Sequence, residues 1–360
     1  MIKSFAIRVS SVVVAAVMML AAAFVPTQNY DVRDPEECKL NFSILSDSHI
    51  ETTDLQRYRV FNRCLLDVAK NESGNDAVIF LGDNTMNGQV LENMMFHGSV
   101  RLFLKDQKNI LPVVGNHDIG NGEGDYEKLQ NRWYAFTKAF FDKDLDHPYY
   151  SEVIDGYTFI VLGMEDQLVY DMMMTEAQFT WLEGVLAEAA KSDKPVFVFS
   201  HYPADDAIDE TGESTDRLID MLAEFNKEHD LIYFCGHTHM PMYLFWSFHD
   251  SDGFPEIYLP RLTDVGNEDN KSGVYNHSGT GVEVEVYGDR VIVRSRDFYR
   301  GEWRIESDGQ VCEKTYELKN AEPKEEPEIT PIPFPFLPIP GTEESPEAQP
   351  EAAPSQAVND

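Results

Sequence analysis

Five short apolar runs in this chain each end in a polar motif: Leu40–Leu45, Ala77–Leu81, Ile110–Val114, Val196–Phe199 and Leu231–Cys235. In the same order, the motifs are Asp47-Ser48-His49, Gly82-Asp83-Asn84, Gly115-Asn116-His117-Asp118, His201 and Gly236-His237-Thr238-His239. Apolar runs of this length read as buried strands. Between them the spacing is helical. Leu55, Tyr58, Phe61, Leu65, Leu66 and Ala69 recur at three- and four-residue steps, with Asp54 as N-cap. Residues 89–106, Tyr126–Phe141, Glu176–Ala190 (Thr175 at the N-cap) and 213–228 read as further helices. Strands alternating with helices predict the α/β class. In such sheets ligands bind beyond the carboxyl ends of the strands. Motifs scattered over almost two hundred residues are therefore expected to meet at one point.

Two antiparallel features complete the reading. Tyr149–Ser151 and Tyr157–Leu162 flank Asp155-Gly156, a tight-turn dipeptide. Later the period changes to two. Val282, Val284 and Val286 alternate with Glu283 and Glu285, and Gly288-Asp289 turns into Val291-Ile292-Val293, a second hairpin.

The ends of the chain differ from its body. Lys3 and Arg8 precede an uncharged apolar run, Val12–Val25, with Ala21, Ala22 and Ala23 as small residues for cleavage. That run falls short of the ~20 residues of a spanning helix. Residues 1–27 are read as a signal peptide, an uncleaved anchor being the alternative, and either places the body outside the cytoplasm. No stable membrane span is expected after cleavage. Residues 28–38 lead into the first strand. Residues 321–360 hold ten of the 19 prolines among Glu, Ala and Ser, a composition that predicts a disordered Pro/Glu-rich tail. Its Pro331–Pro340 stretch is apolar and prone to polyproline geometry, so a tail partner is one reading and a spacer the other. Cys64 and Cys235 fall inside predicted elements and are expected as buried thiols. Cys38 and Cys312 flank the body, and a bridge between them stays open. The charge of −34, from 63 acidic and 29 basic residues, disfavours nucleic acid and anionic membranes as partners.

The motifs gather Asp, Asn and His. Divalent metals of intermediate softness take such mixed ligands. Two of them close together clamp a phosphoryl group and polarise a water for in-line attack. A carboxylate shared between two cations lowers their repulsion, and the glycines before Asp83, Asn116 and His237 let the backbone turn at the strand ends.

On these residues the chain resembles the calcineurin-like metallophosphoesterases, whose pattern is D-x-H, G-D, G-N-H-[DE], H and G-H-x-H. The likeness spans about residues 40–300. It implies a two-sheet β-sandwich flanked by helices, with a metallophosphoesterase domain over 39–318. It also implies two divalent ions, with manganese, iron or zinc as the candidates. Metal one would take Asp47, His49, Asp83 and His239. Metal two would take Asp83, Asn116, His201 and His237, with Asp83 as bridge. His117 would be the acid or transition-state donor, with Asp118 orienting it. The implied activity is an exported phosphoester hydrolase, diesterase or monoesterase, acting on a small phosphoester through a metal-activated hydroxide. Val198-Phe199-Ser200-His201 resembles purple acid phosphatases, but Met86 stands where those place a ligating tyrosine, and His49 is a residue they lack. Asp47-Ser48-His49-Ile50 is closer to the cyclic-nucleotide phosphodiesterase branch. The alternative is a secreted or surface binding module with structural metals and a tail that engages a partner. A nuclease is a weaker third reading, against the charge.

Outside the pattern, His97, His147, His229, His249 and His277 read as surface or capping residues, with a substrate-facing role open for His277. Asn84 reads as a phosphate contact or a solvated loop residue.

Overall fold

Alternation within the first strand sends Leu40, Phe42 and Ile44 to one face and Leu45 to the other, and both faces are buried. That double burial places the strand at the centre of a layered molecule. The computed structural model describes residues 30–71, 74–250, 252–263 and 278–321. Residues 1–27, read above as a signal peptide, most of the tail and His277 lie outside them.

In chain order the elements are β1 (Leu40–Leu45), α1 (Leu55–Val68), β2 (Ala77–Leu81), α2 (Val90–Phe103), β3 (Ile110–Val113) and α3 (Tyr126–Phe141). There follow β4 (Tyr150–Ile154), β5 (Tyr157–Val161), β6 (Met172–Met173), α4 (Glu176–Ala189), β7 (Val196–Phe199), β8 (Ala207–Ile208), α5 (Arg217–Glu228) and β9 (Leu231–Cys235). The last are α6 (Leu244–Ser247), β10 (Phe248–His249), β11 (Glu256–Tyr258), β12 (Thr280–Val286), β13 (Arg290–Asp297), β14 (Glu302–Trp303) and β15 (Glu313–Glu317). The expected caps are present: the Asp54 side chain accepts from Gln56 and Arg57, and the Thr175 side chain from Gln178.

Two sheets form. One runs β14-β13-β12-β1-β2-β3, with β15 also on β13; the other runs β10-β11-β9-β7-β5-β4. The motif-bearing strands β1, β2 and β3 pair in parallel in the first, and β7 and β9 pair in parallel in the second. Their carboxyl ends therefore lie on one edge of the sandwich. Between the sheets, Phe42 packs edge-on against Phe159 and Phe197, with ring centroids 5.1 and 4.9 Å away, and also meets Phe199 and Phe234. The outward faces bury against helices. Leu45, Val78 and Phe80 meet α1 and α2, while Val198, Leu231 and Tyr233 meet residues of α4 and α5.

The second hairpin departs from its alternating pattern. Glu283 and Glu285 are buried, not solvated. Residues 30–38 lie across that face: the Tyr30 hydroxyl and Ser43 Oγ donate to the Glu283 carboxylate, and Arg33 N–H and Tyr287 Oη donate to Glu285 Oε2 at 3.0 and 2.6 Å. Arg294 pairs with Glu285 at 2.6 Å. The leader thus forms part of the body. All four cysteines are free thiols, so no Cys38–Cys312 bridge is present. His97 is buried among Phe96, Phe136 and Phe141, with Nδ1 on the Asn93 carbonyl at 2.9 Å, and is not a surface residue; the packing of α2 on α3 encloses it.

Phe42→Ala should destabilise the fold by about 3–5 kcal/mol, read from chemical denaturation, because it empties the inter-sheet contact. Burial pushes the Glu283 carboxyl up to about 7, against the hydrogen bonds from Ser43 and Tyr30. A raised acid costs nothing while both folded and unfolded forms are protonated, and stability is lost as pH rises from the unfolded value to about 7. Glu283→Gln should therefore match the wild type at pH ~4.5 and exceed it at pH ~8, by up to about 3 kcal/mol. Equal unfolding midpoints at the higher pH would refute this.

Candidate metal centre

The first motif lies on the second by backbone pairing: Asp47 N–H donates to Gly82 O at 3.1 Å and His49 N–H to Asp83 O at 2.8 Å. This register turns both strand ends toward the same point. Asp47, His49, Asp83, His237 and His239 all have positive φ, between 41° and 60°. Non-glycine residues rarely adopt that backbone, and when held there by their surroundings they mark functional sites.

The side chains form two adjoining nests. Asp47, His49, Asp83 and His239 place ligand atoms within 4.8 Å of one another, and so do Asp83, His201 and His237. Asp83 belongs to both. In the first nest His239 Nε2 is 3.0 Å from Asp47 Oδ1, and His49 Nε2 is 3.2 Å from His239 Nε2 and 3.6 Å from Asp83 Oδ2. In the second, His201 Nε2 is 3.3 Å from Asp83 Oδ1 and 3.1 Å from Asn116 Oδ1. His201 Nδ1 donates to Leu81 O at 3.0 Å, which turns Nε2 inward. The ring of Tyr202 lies against His237, with centroids 4.4 Å apart.

The motif glycines are needed for close approach. A Cβ on Gly82 would overlap the His201 ring, one on Gly115 would overlap Asp83, and one on Gly236 would overlap Ser46 and Asp47. Only Gly82 of the three has a positive φ, at 90°, so turning was just part of the reason.

Burial opposes charge on Asp47 and Asp83. The hydrogen bonds of His239 and His49 nevertheless hold the Asp47 carboxyl well below the usual range, and His201 does the same for Asp83. The counterpart is His201, which Asp83 and Asp47 raise to about 9 despite burial. Burial lowers His49 and His237 to about 4. Among the described residues the ionic partners of both carboxylates are imidazoles. Two buried anions ringed by inward-facing imidazole nitrogens fit divalent ions of intermediate softness. His49 Nδ1, buried without a partner, leaves Nε2 as the atom aimed into the nest.

His117 is half-buried with Nε2 3.9 Å from Asp83 Oδ2. The sequence-based assignment of its orienting residue is corrected. His117 Nδ1 donates to the Met86 carbonyl at 2.8 Å. The Asp118 carboxylate instead accepts from Asn84 N and Nδ2, Thr85 N and Oγ1, and Gly115 N, at 2.8 to 3.2 Å. Asp118 is a tie beneath the second motif, because the 3-10 turn His117–Ile119 directs it inward. Asn84 is consumed by the same tie and by Val113 O, and is neither a solvated loop residue nor a free phosphate contact. Ser46, whose Oγ donates to Asp47 Oδ2 at 2.5 Å, and the carbonyls of Leu81 and Met86 escaped the sequence reading. Ser46 adjoins a motif, but a carbonyl carries no residue-type signal.

Such a site, at the carboxyl ends of strands from two facing sheets, defines a metal-dependent hydrolase. The chain belongs to the calcineurin-like phosphoesterase family, whose model matches residues 40–241, and is a metal-dependent phosphoric ester hydrolase. Over 218 residues it is 25% identical to a probable glycerophosphodiester phosphodiesterase GpdQ of Arcobacter nitrofigilis, covering 56% of this chain and 73% of that protein. Its fold is similar to that of a dimetal phosphatase from Danio rerio, with a TM-score of 0.52 and 16% identity over 78% of this chain and 100% of the other. Among the described residues no helix is long and apolar enough to cross a membrane.

Gly115→Ala should lower metal retention at least tenfold while circular dichroism stays unchanged, because the added methyl displaces Asp83. Metal content after dialysis checks it.

Proposed function

We propose that the chain is an exported phosphodiesterase that holds two divalent ions. Asp47, His49, Asp83 and His239 would hold one; Asp83, Asn116, His201 and His237 would hold the other. The observation that carries this reading is that Asp83 offers Oδ2 to one nest and Oδ1 to the other. When bound, such ions supply charge that draws phosphoryl oxygens and acidifies water. The chain's own residues do the rest. Among the described members of the group, His117 and His237 are half-buried and His239 is exposed, so a substrate meets these three first. His117 Nδ1 donates to Met86 O, which leaves Nε2 as the ring atom facing the site. From Nε2 the ring would hand a proton to the departing alkoxide oxygen as the ester bond breaks.

A diester substrate is supported by the similarity to the probable glycerophosphodiester phosphodiesterase, and by His49 in the first motif. Export rests on residues 1–27 and is tested by fractionating cells that make the full chain or the chain without them. Manganese, iron and zinc all suit the donors.

Asp83→Asn should abolish hydrolysis of a chromogenic phosphodiester and reduce bound manganese below two equivalents. His117→Ala should keep both equivalents and lose about 10²–10⁴-fold in kcat. Full activity in the first variant, or metal loss in the second, would overturn these roles. A panel of a diester, a monoester and a cyclic nucleotide decides the substrate class.

A further inference from the structure

Asn116 can hold a cation only through Oδ1, and a primary amide turned by 180° would present Nδ2, a donor, to the same place. Its orientation therefore needs a second contact. Asn116 Nδ2 donates to Asn121 Oδ1 at 2.7 Å, while Oδ1 lies 3.1 Å from His201 Nε2, on the ligand side. The backbone repeats the link, with Asn121 N–H donating to Asn116 O at 2.7 Å. Asn121 makes this double contact from a left-handed conformation, φ 53°, directly after Gly120 at φ 98°. Asparagine tolerates that backbone better than most residues. The turn is held from outside: Gln167 Nε2 donates to Ile119 O and to Glu123 O, both at 2.6 Å. Gln167 belongs to the segment after β5, so the contact spans two sheets.

The geometry points to Asn121 as a positioning residue for the second ion, one that fixes the amide of Asn116 with its oxygen facing His201. This rests on the two-ion reading above. Asn121 touches neither substrate nor ion; it acts through Asn116. The motif Gly115-Asn116-His117-Asp118 is thereby extended to Asn121, in a stretch that carried no assigned role.

The test is a titration of the metal-free full chain with Co²⁺, followed by calorimetry and by the visible absorption of the bound ion. Wild type is compared with Asn121→Gly and Asn121→Asp. Glycine keeps the left-handed backbone and removes the acceptor; aspartate keeps the acceptor. In the glycine variant the first equivalent should bind within about twofold of wild type, and the second should weaken about 10–100-fold, the usual cost of losing a group that orients a ligand. The aspartate variant should hold the second equivalent within about threefold. A glycine variant that binds both equivalents as wild type does overturns the inference while leaving the two-ion site intact. So does an aspartate variant whose second equivalent weakens about tenfold or more, and this outcome decides the matter if the glycine variant misfolds. A wild type that takes fewer than two equivalents defeats the two-ion reading itself.

Discussion

Two carboxylates, Asp47 and Asp83, are buried at the ends of adjacent parallel strands with 0% and 1% exposure, and much of the molecule answers that constraint. A buried anion needs paired charge and hydrogen bonds. Here they come from Ser46, from the backbone N–H groups of His117 and His237, and from three imidazoles. Those groups arrive from strands in both sheets. The sandwich must therefore close before either carboxylate has its partners, and the Phe42 contacts that close it lie on the same strand that carries Asp47.

The close approach explains the motif glycines better than turn geometry does. At Gly115 and Gly236 the backbone angles suit any residue, yet there is no room for a Cβ. The strained backbone at five of the proposed ligands has the same origin. Each must leave its strand at an angle that aims it into a shared volume, and neighbouring carbonyls and N–H groups hold it there. Strain at these positions is offset by packing elsewhere, which suits a site whose geometry is set in advance.

Most of the architecture was legible in the sequence because strand runs and glycine-led motifs are local signals. Leu40–Leu45, Ala77–Leu81 and Leu231–Cys235 match their strands end for end. That the motifs meet followed from strand direction, while the choice of Asp47, His49, Asp83, Asn116, His201, His237 and His239 among their residues came from the family resemblance. What failed depended on tertiary contacts. The burial of Glu283 and Glu285 carries no local signal, because residues 30–38 create it. His97 looks like a surface residue until α3 packs over it. Asp118 adjoins His117 in sequence, but a 3-10 turn separates their side chains, so the partnership that the family resemblance implied is not made.

The pairing of β1 with β12 also sets an order of events. All proposed ligands have been synthesised by His239, yet β1, already paired with β2 on one side, gains its second neighbour only with Thr280–Val286, about forty residues later. At ~10 residues per second that interval is roughly four seconds. During it the strand bearing Asp47 is still an open edge. A chain halted between those points would carry every proposed metal ligand and still lack β12 to β15, four of the seven strands in the sheet that holds Asp47 and Asp83.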